Sequence, residues 1–261
     1  MTFNIKNSAD ENDKQSINCW TNRSEKIVKI IEKYNPTVIG FQEVLIDQLD
    51  YLKKNLSNEY SFYGVGRNDG NMLGEFNPIL FNRKLLIPKK SGTFWLSETP
   101  SIPSKSWKGC CFRICSWVSF ENPIPMIIAN THLDEKHQET RLKSLQVLKR
   151  ELLLFNRPII LLGDFNFTRT SLEYQKLLIE LKMKDCFKEG YRGNSIDHLI
   201  TYHGYTGNIY DFTKRFIDFI FVSVGTIQAL NANVINYNSG GEKGTYPSDH
   251  WPVLVEFNIK L

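Results

Sequence analysis

The sequence predicts an α/β fold, and three observations carry that prediction. Apolar runs that end in polar residues alternate with segments of helical apolar spacing. A turn-rich middle stretch breaks into several short β-type runs. The chain, 261 residues with 41% hydrophobic and 23% charged, is long enough to bury a sizeable core. No linker, internal repeat, heptad or low-complexity tract interrupts it, so residues 1–261 are expected to form a single domain.

The formal charge of +4 and pI near 8.7 permit an anionic substrate but are too small, over this length, to argue for nucleic acid. Five cysteines, with Cys110 and Cys111 adjacent and no Cys-x-x-Cys pair, make neither a disulfide framework nor a zinc site. Met1 to Ile5 lacks the basic and apolar regions of a secretory leader, and no window approaches the roughly 18 apolar residues of a membrane span. A cytoplasmic protein without a membrane span is expected.

In chain order, Thr2 to Lys6 reads as a short strand holding Asn4, which has no apolar role there. Residues 7–20 are polar and read as a solvated loop. Ser24 to Tyr34 carries Ile27, Ile30, Ile31 and Tyr34 at helical spacing, with Thr21, Asn22 or Ser24 to cap it and Pro36 to stop it. Thr37 to Phe41 is a buried strand that delivers Glu43 to its C-terminal end, ahead of a helix with Leu45, Leu49, Leu52 and Leu56 on one stripe. Ligands tend to gather at such strand ends, although a Glu opening a helix also suits the helix dipole.

Tyr60–Val65, Pro78–Asn82, Gly92–Leu96 and Ile114–Phe120 read as strands of a largely antiparallel sheet. The loops between them hold Arg67, Glu75, Trp95, Trp107 and Arg113, a mixture of aromatic and charged groups that could line a site, though tryptophans more often fill a core. Pro125–Asn130 is a further strand that leads to His132. Gln138–Leu154 is a long helix with Leu142, Leu145, Leu148 and Leu152 inward. The most informative stretch is Pro158–Asn166, an apolar run that places Asp164 and Asn166 two apart past Gly163, where they share a face. Leu172–Leu181 is a helix. Ile217–Ser223 is a strand with Asp218 inside an apolar run, where a carboxylate is costly unless paired. Asp249 and His250 precede a closing strand, Val253–Ile259.

Any one of these polar strand ends has an ordinary structural explanation, but their joint arrangement does not. Asn4, Glu43, His132, Asp164, Asn166, Asp218, Asp249 and His250 make an oxygen-rich set with two imidazoles. Hard oxygen ligands select magnesium or manganese over zinc. Phosphoester hydrolysis needs this kind of set: charge neutralised on the phosphate, a deprotonated water, and donors for the developing oxyanion.

The ordered motifs, the early strand with Asn4, GFQEV around Glu43, NTHL around His132, GDFN around Asp164 and Asn166, IDFIFVS around Asp218 and PSDHWPV around Asp249 and His250, resemble the endonuclease/exonuclease/phosphatase superfamily. This is a group of metal-dependent phosphoesterases related to pancreatic-type deoxyribonuclease. GRNDG, GEFNP, GTFWLSETP and NTHLD resemble a small single-domain group near the carbon-catabolite-repressor deadenylases and nocturnin. Asn68 and Glu135 depart from that pattern, where Asp and His are expected.

The resemblance implies a four-layer α/β/β/α sandwich, two mostly antiparallel sheets face to face with outer helices, and a cleft at one end. It implies a metal site of Glu43, with Asn4 nearby and Asp249 completing it, for magnesium or manganese. It also implies a catalytic set in which Asp164 orients or deprotonates water, Asn166 and His132 donate to phosphate oxygens, and His250 pairs with Asp218. The expected function is phosphodiester hydrolysis of nucleic acid or nucleotides, for example by a 3′-exonuclease of deadenylase type. Arg67, Trp95 and Trp107 are candidates to bind the substrate by stacking on a base. The competing readings are a phosphatase or a lipid or inositol phosphoesterase on the same scaffold, and a non-catalytic binding module, against which the complete residue set argues. No leucine-rich repeats are present, so recruitment through them is not expected.

Overall fold

The computed structural model describes residues 1–9, 16–122, 124–193, 195–210, 215–225, 227–237 and 245–259. The first half of the chain builds one sheet and the helices that cover it. Strand β1 (Thr2–Asn4) is followed by helix α1 (Trp20–Tyr34), β2 (Val38–Gln42), α2 (Ile46–Leu56), β3 (Tyr60–Tyr63) and β4 (Ile79–Asn82). Residues 10–15 of the expected polar loop lie outside the described residues.

Helix α1 starts four residues earlier than its apolar spacing suggests. Its N-cap is Cys19, without a side-chain cap, so none of Thr21, Asn22 or Ser24 caps it. Asn35 closes it in the left-handed conformation, with its N–H on the Ile31 carbonyl. Helices α1 and α2 bury Ile27, Ile30, Ile31, Leu49, Leu52 and Leu56 in one cluster with Phe3, Ile39 and Phe41 of the sheet.

The second half runs β5 (Pro88–Trp95), β6 (Ile114–Phe120), β7 (Met126–His132), α3 (Gln138–Leu153), β8 (Ile159–Asp164), α4 (Leu172–Glu180), β9 (Met183–Asp185), the short α5 (Cys186–Gly190), β10 (Asp218–Ser223), β11 (Ile227–Val234) and β12 (Val253–Ile259). The two sheets have six strands each, ordered β11-β12-β1-β2-β4-β3 and β5-β6-β7-β8-β10-β9. Each contains one parallel pair, β1 with β2 and β7 with β8, and the other pairs are antiparallel. The expected α/β sandwich of two mostly antiparallel sheets is what forms. A single large cluster joins the sheets and α3 and α4, with Ile79, Phe81, Ile128, Leu162 and Val253 in the same body as Leu145, Leu148, Leu152 and Leu177.

Strand register does the work of assembling the functional end. In the parallel β7/β8 pair His132 lies opposite Asp164, and in the antiparallel β8/β10 pair Asp218 lies opposite Asp164. In the other sheet Asn4 lies opposite Gln42, next to Glu43. Gly163 makes the β7/β8 approach possible, since a Cβ there would sit 2.0 Å from the Thr131 carbonyl oxygen. No helix among the described residues is long and apolar enough to cross a membrane.

Candidate active site

The eight polar residues expected from the strand ends come together at one end of the sandwich. Asp164 is the hub. Its Oδ2 accepts from Asn4 Nδ2 at 3.0 Å and lies 3.6 Å from His132 Nε2 and 3.8 Å from His250 Nε2. Its Oδ1 accepts from the Asn166 backbone N–H at 3.0 Å. Burial and the neighbouring Asp218 push Asp164 up to about 7, against the opposing pull of His250 and the Asn4 amide. A carboxyl poised there exchanges a proton near neutrality.

His250 and Asp218 form the pair expected from the cost of a carboxylate in an apolar strand. Nδ1 of His250 donates to Asp218 Oδ2 at 2.9 Å, with the two residues 4% and 0% exposed. Burial alone would depress His250, but Asp218, Asp164 and Asp249 outweigh it and raise the imidazole to about 10. It therefore carries a proton on both nitrogens near neutral pH, and its Nε2 lies 3.8 Å from Asp164 Oδ2. Backbone N–H groups of Ile217 and Asp218 both donate to Thr201 Oγ1, which fixes the strand end that carries the carboxylate.

His132 behaves oppositely. Burial, with the charges of Arg113, Arg67 and His250, holds it well below the usual imidazole range, so it is neutral. Its Nε2 faces the Asn166 amide nitrogen at 3.1 Å and accepts from it, which leaves the proton on Nδ1. Asn166 Nδ2 also donates to the Leu133 carbonyl at 3.1 Å.

Glu43 sits in the left-handed region, at φ 60, as does Asn166 at φ 52. For Asn this is easily adopted, whereas for Glu it costs on the order of 1 kcal/mol, a strain of the kind found where a side chain must be aimed. The aim is enforced by Asn4 Nδ2, 2.9 Å from Glu43 Oε1, and by the Asn7 backbone and side-chain N–H groups on Oε2 at 3.3 and 3.1 Å. Burial would raise Glu43, but Lys6, Asn4 and His250 keep it ionised and below its usual range. Asp249 lies within the field of Glu43, and burial together with that like charge raises it. Its Oδ1 lies 3.2 Å from Ser248 Oγ, whose hydroxyl donates to the Asn4 carbonyl at 2.7 Å.

The hydrogen bonds and charges bear on the expected ligand set in two ways. Asn4 Oδ1 accepts from the Lys6 backbone N–H at 3.0 Å and its Nδ2 donates to Glu43 and Asp164, so it clamps two carboxylates. One ligand atom each from Asp164, Asp218 and His250 lies within 4.8 Å of the others, and this buried group could bind a divalent metal. His250 must lose its proton for that, however, and its Nδ1 is already bound to Asp218. The acidic donors Glu43 and Asp249, whose mutual repulsion a cation would relieve, fit a hard divalent ion without that cost.

Of the residues expected to touch a substrate, Trp95 is 5% exposed and spends its indole N–H on the Arg67 carbonyl at 2.7 Å. It is a buried support for the Arg67 loop, and its ring is not presented for stacking. Trp107 is half-buried against the core, and Arg67 is ion-paired to Glu75. Residues missed at the sequence level are Lys6, Asn7 and Ser248, which position Glu43 and Asp249. Asn7 was hidden in a polar stretch that reads as solvated loop. The local signal was its spacing, three residues past Asn4, where β1 ends.

The chain matches the family model for endonucleases, exonucleases and phosphatases over residues 1–250. It is 28% identical over 265 residues to an uncharacterized protein, L388, of Acanthamoeba polyphaga mimivirus, with 93% of each chain covered. Among solved structures it is similar to a mannosyl-6-phosphatase of Bacteroides thetaiotaomicron, at 30% identity with 98% of each chain covered and a TM-score of 0.88. The human nocturnin catalytic domain shares the fold, at 18% identity, with 98% of this chain and 91% of that chain covered and a TM-score of 0.74. With the match running through the strand ends that carry Asn4, Glu43, His132, Asp164, Asp218 and His250, the chain belongs to the endonuclease/exonuclease/phosphatase family.

Proposed function

We propose that this protein hydrolyses phosphoesters with the help of magnesium or manganese, held by Glu43 and Asp249. The observation that carries the reading is the convergence on Asp164 of Asn4, Asn166, His132 and the His250–Asp218 pair. A bound cation supplies charge neutralisation at the phosphate. Asp164, with a pKa of about 7, takes the proton of the attacking water, and Asn4 and the Asn166 N–H orient its two oxygens. The His250 imidazolium, kept charged by Asp218, donates Nε2–H to a phosphate oxygen and stabilises the charge that develops there. Neutral His132 contributes its Nδ1–H from the other side of Asp164, with Asn166 fixing the tautomer.

For the substrate, a nucleic-acid or nucleotide phosphodiester is the expectation that the deadenylase-like motifs support. Phosphomonoesters form the second reading, supported by the likeness to the mannosyl-6-phosphatase and by the burial of Trp95, which removes one of the rings available to a base. The test is incubation with magnesium and a panel of oligo(A), mixed RNA, DNA, nucleotide cofactors, sugar phosphates, inositol phosphates and sphingomyelin. Metal-dependent cleavage of at least one class, abolished in Asp164→Asn, is the expected result. No cleavage across the panel at any divalent metal concentration would leave a binding module as the better account.

A further inference from the structure

Beside Asp164 lies a group of N–H donors without a hydrogen-bond partner among the described residues. Arg113 immediately precedes β6, whose register with β7 sets Cys115 opposite Thr131, so continuing the ladder brings Arg113 alongside His132 and Leu133. The side chain is 7% exposed, yet its Nε and Nη1 have no partner, and its Nη2 has only a 3.9 Å contact to the Cys110 thiol. Arg67 Nε and His132 Nδ1 are likewise buried and unpaired. The three residues share one neighbourhood, because the charges of Arg113 and Arg67 both act on His132 and on Glu75.

Glu75 is a carboxylate whose charge reaches Arg113, but its oxygens are already committed, Oε2 to Arg67 and Oε1 to Asn7 at 3.3 Å. A buried guanidinium with open N–H groups is expensive, and proteins retain one where an anion or ordered water completes it. Two cations against one carboxylate favour an anion over water.

Building on the phosphoesterase reading above, we infer that Arg113, with Arg67 Nε and His132 Nδ1, forms a seat for the non-bridging oxygens of a terminal phosphoryl group, so that phosphomonoesters are the preferred substrate class. A diester presents one charge over two non-bridging oxygens. A monoester dianion presents two charges over three, which matches an excess positive charge and a planar fork of donors. The open donor atoms are buried, and the Cys110–Cys111 turn touches the guanidinium through the Cys110 thiol, with Cys110 itself exposed. Filling the seat requires that turn to yield a weak thiol contact.

The test uses Arg113→Met, which keeps volume and removes charge, and Arg113→Lys. With p-nitrophenyl phosphate and bis(p-nitrophenyl) phosphate as paired substrates, Arg113→Met should lower the ratio of monoester to diester kcat/KM by about 100-fold, with Arg113→Lys recovering part of it. A second measurement needs no turnover: in chelator, inorganic phosphate should raise the melting temperature of the wild type and not that of Arg113→Met. Without phosphate, Arg113→Met should melt at or above the wild type, because an unpaired buried charge is gone. A lower melting temperature, an unchanged substrate ratio, or equal phosphate shifts in the two proteins would each overturn the seat. If the wild type cleaves neither ester but shows the Arg113-dependent phosphate shift, the seat stands and the hydrolase reading falls. If both esters are cleaved alike by wild type and variant, the reverse holds.

Discussion

Replacing His250 by alanine leaves Asp218 at 0% exposure, with Oδ2 stripped of its 2.9 Å partner and Oδ1 already unpaired. Breaking a buried pair from one side costs about 3–5 kcal/mol, most of it the penalty of the orphaned charge. Asp218→Asn removes the charge itself and should cost less, roughly 1.5–3 kcal/mol for a lost charge-assisted bond. The double variant, Asp218→Asn with His250→Ala, contains no orphaned charge and should therefore be more stable than His250→Ala alone. Denaturant unfolding in chelator, with the fitted slope held constant, measures all four corners of the cycle.

The pH dependence gives a second reading of the same pair. His250 is raised to about 10 in the folded protein, above the unfolded value near 6.5. Its contribution is thus fully present below about pH 6.5 and is lost progressively as pH rises toward 10. Asp218→Asn should flatten that loss. In turnover, each single change should cost on the order of 100-fold or more, and the double change little beyond the worse single one, because both remove one unit. Additive destabilisation together with multiplicative losses in kcat would show that the two residues act independently.

Four other outcomes are expected. Glu43→Gln should raise the magnesium concentration for half-maximal activity on the order of 100-fold while leaving the melting temperature in chelator near wild type; an unchanged magnesium titration would remove Glu43 from the ligands. Because burial raises both Asp164 and Asp249, to about 7 for Asp164, magnesium binding near pH 7 should release protons and weaken as pH falls, which calorimetry in buffers of different ionisation enthalpy would show as a buffer-dependent heat. Gly163→Ala forces a Cβ to within 2.0 Å of the Thr131 carbonyl oxygen, a backbone atom that cannot step aside, and should destabilise by about 3 kcal/mol; a neutral effect in a thermal melt would mean the β7/β8 spacing is not as tight as described. Trp107→Ala should weaken an oligonucleotide more than a small chromogenic diester if its half-buried ring stacks on a base, and equal losses on both would assign it to packing alone.

How much of this was legible in the sequence depended on whether the signal was local. Strands β6 and β12 have the bounds their patterns suggest, because continuous or alternating apolar runs bounded by turn residues leave little ambiguity. Strands β9 and β11 escaped that reading. The first is only three residues long, and the second, Ile227–Val234, alternates buried and exposed positions with alanines and asparagines in place of large apolar groups, so its period-2 signal is faint. The polar cluster around Asp164 was visible because a polar residue at the end of an apolar run has no packing reason to be there. The support around it was not, since Asn7 and Ser248 are ordinary loop residues whose value comes only from which carboxylate they meet.

Substrate contacts show the same limit from the other side. Trp95 has the composition of a stacking residue and the environment of a core residue, and only the 2.7 Å bond from its indole to the Arg67 carbonyl decides between them. Arg113 has the opposite history. In the sequence it is one of several loop residues that could line a site, among 32 lysines and arginines, and it becomes specific only when folding encloses it without satisfying it. A residue's chemistry can be read from its type, but its availability depends on what the rest of the chain has already claimed. At this site those claims leave His132 Nδ1 and Arg113 Nε and Nη1 buried without a partner among the described residues, near the carboxyl of Asp164 that Asn4 holds at 3.0 Å.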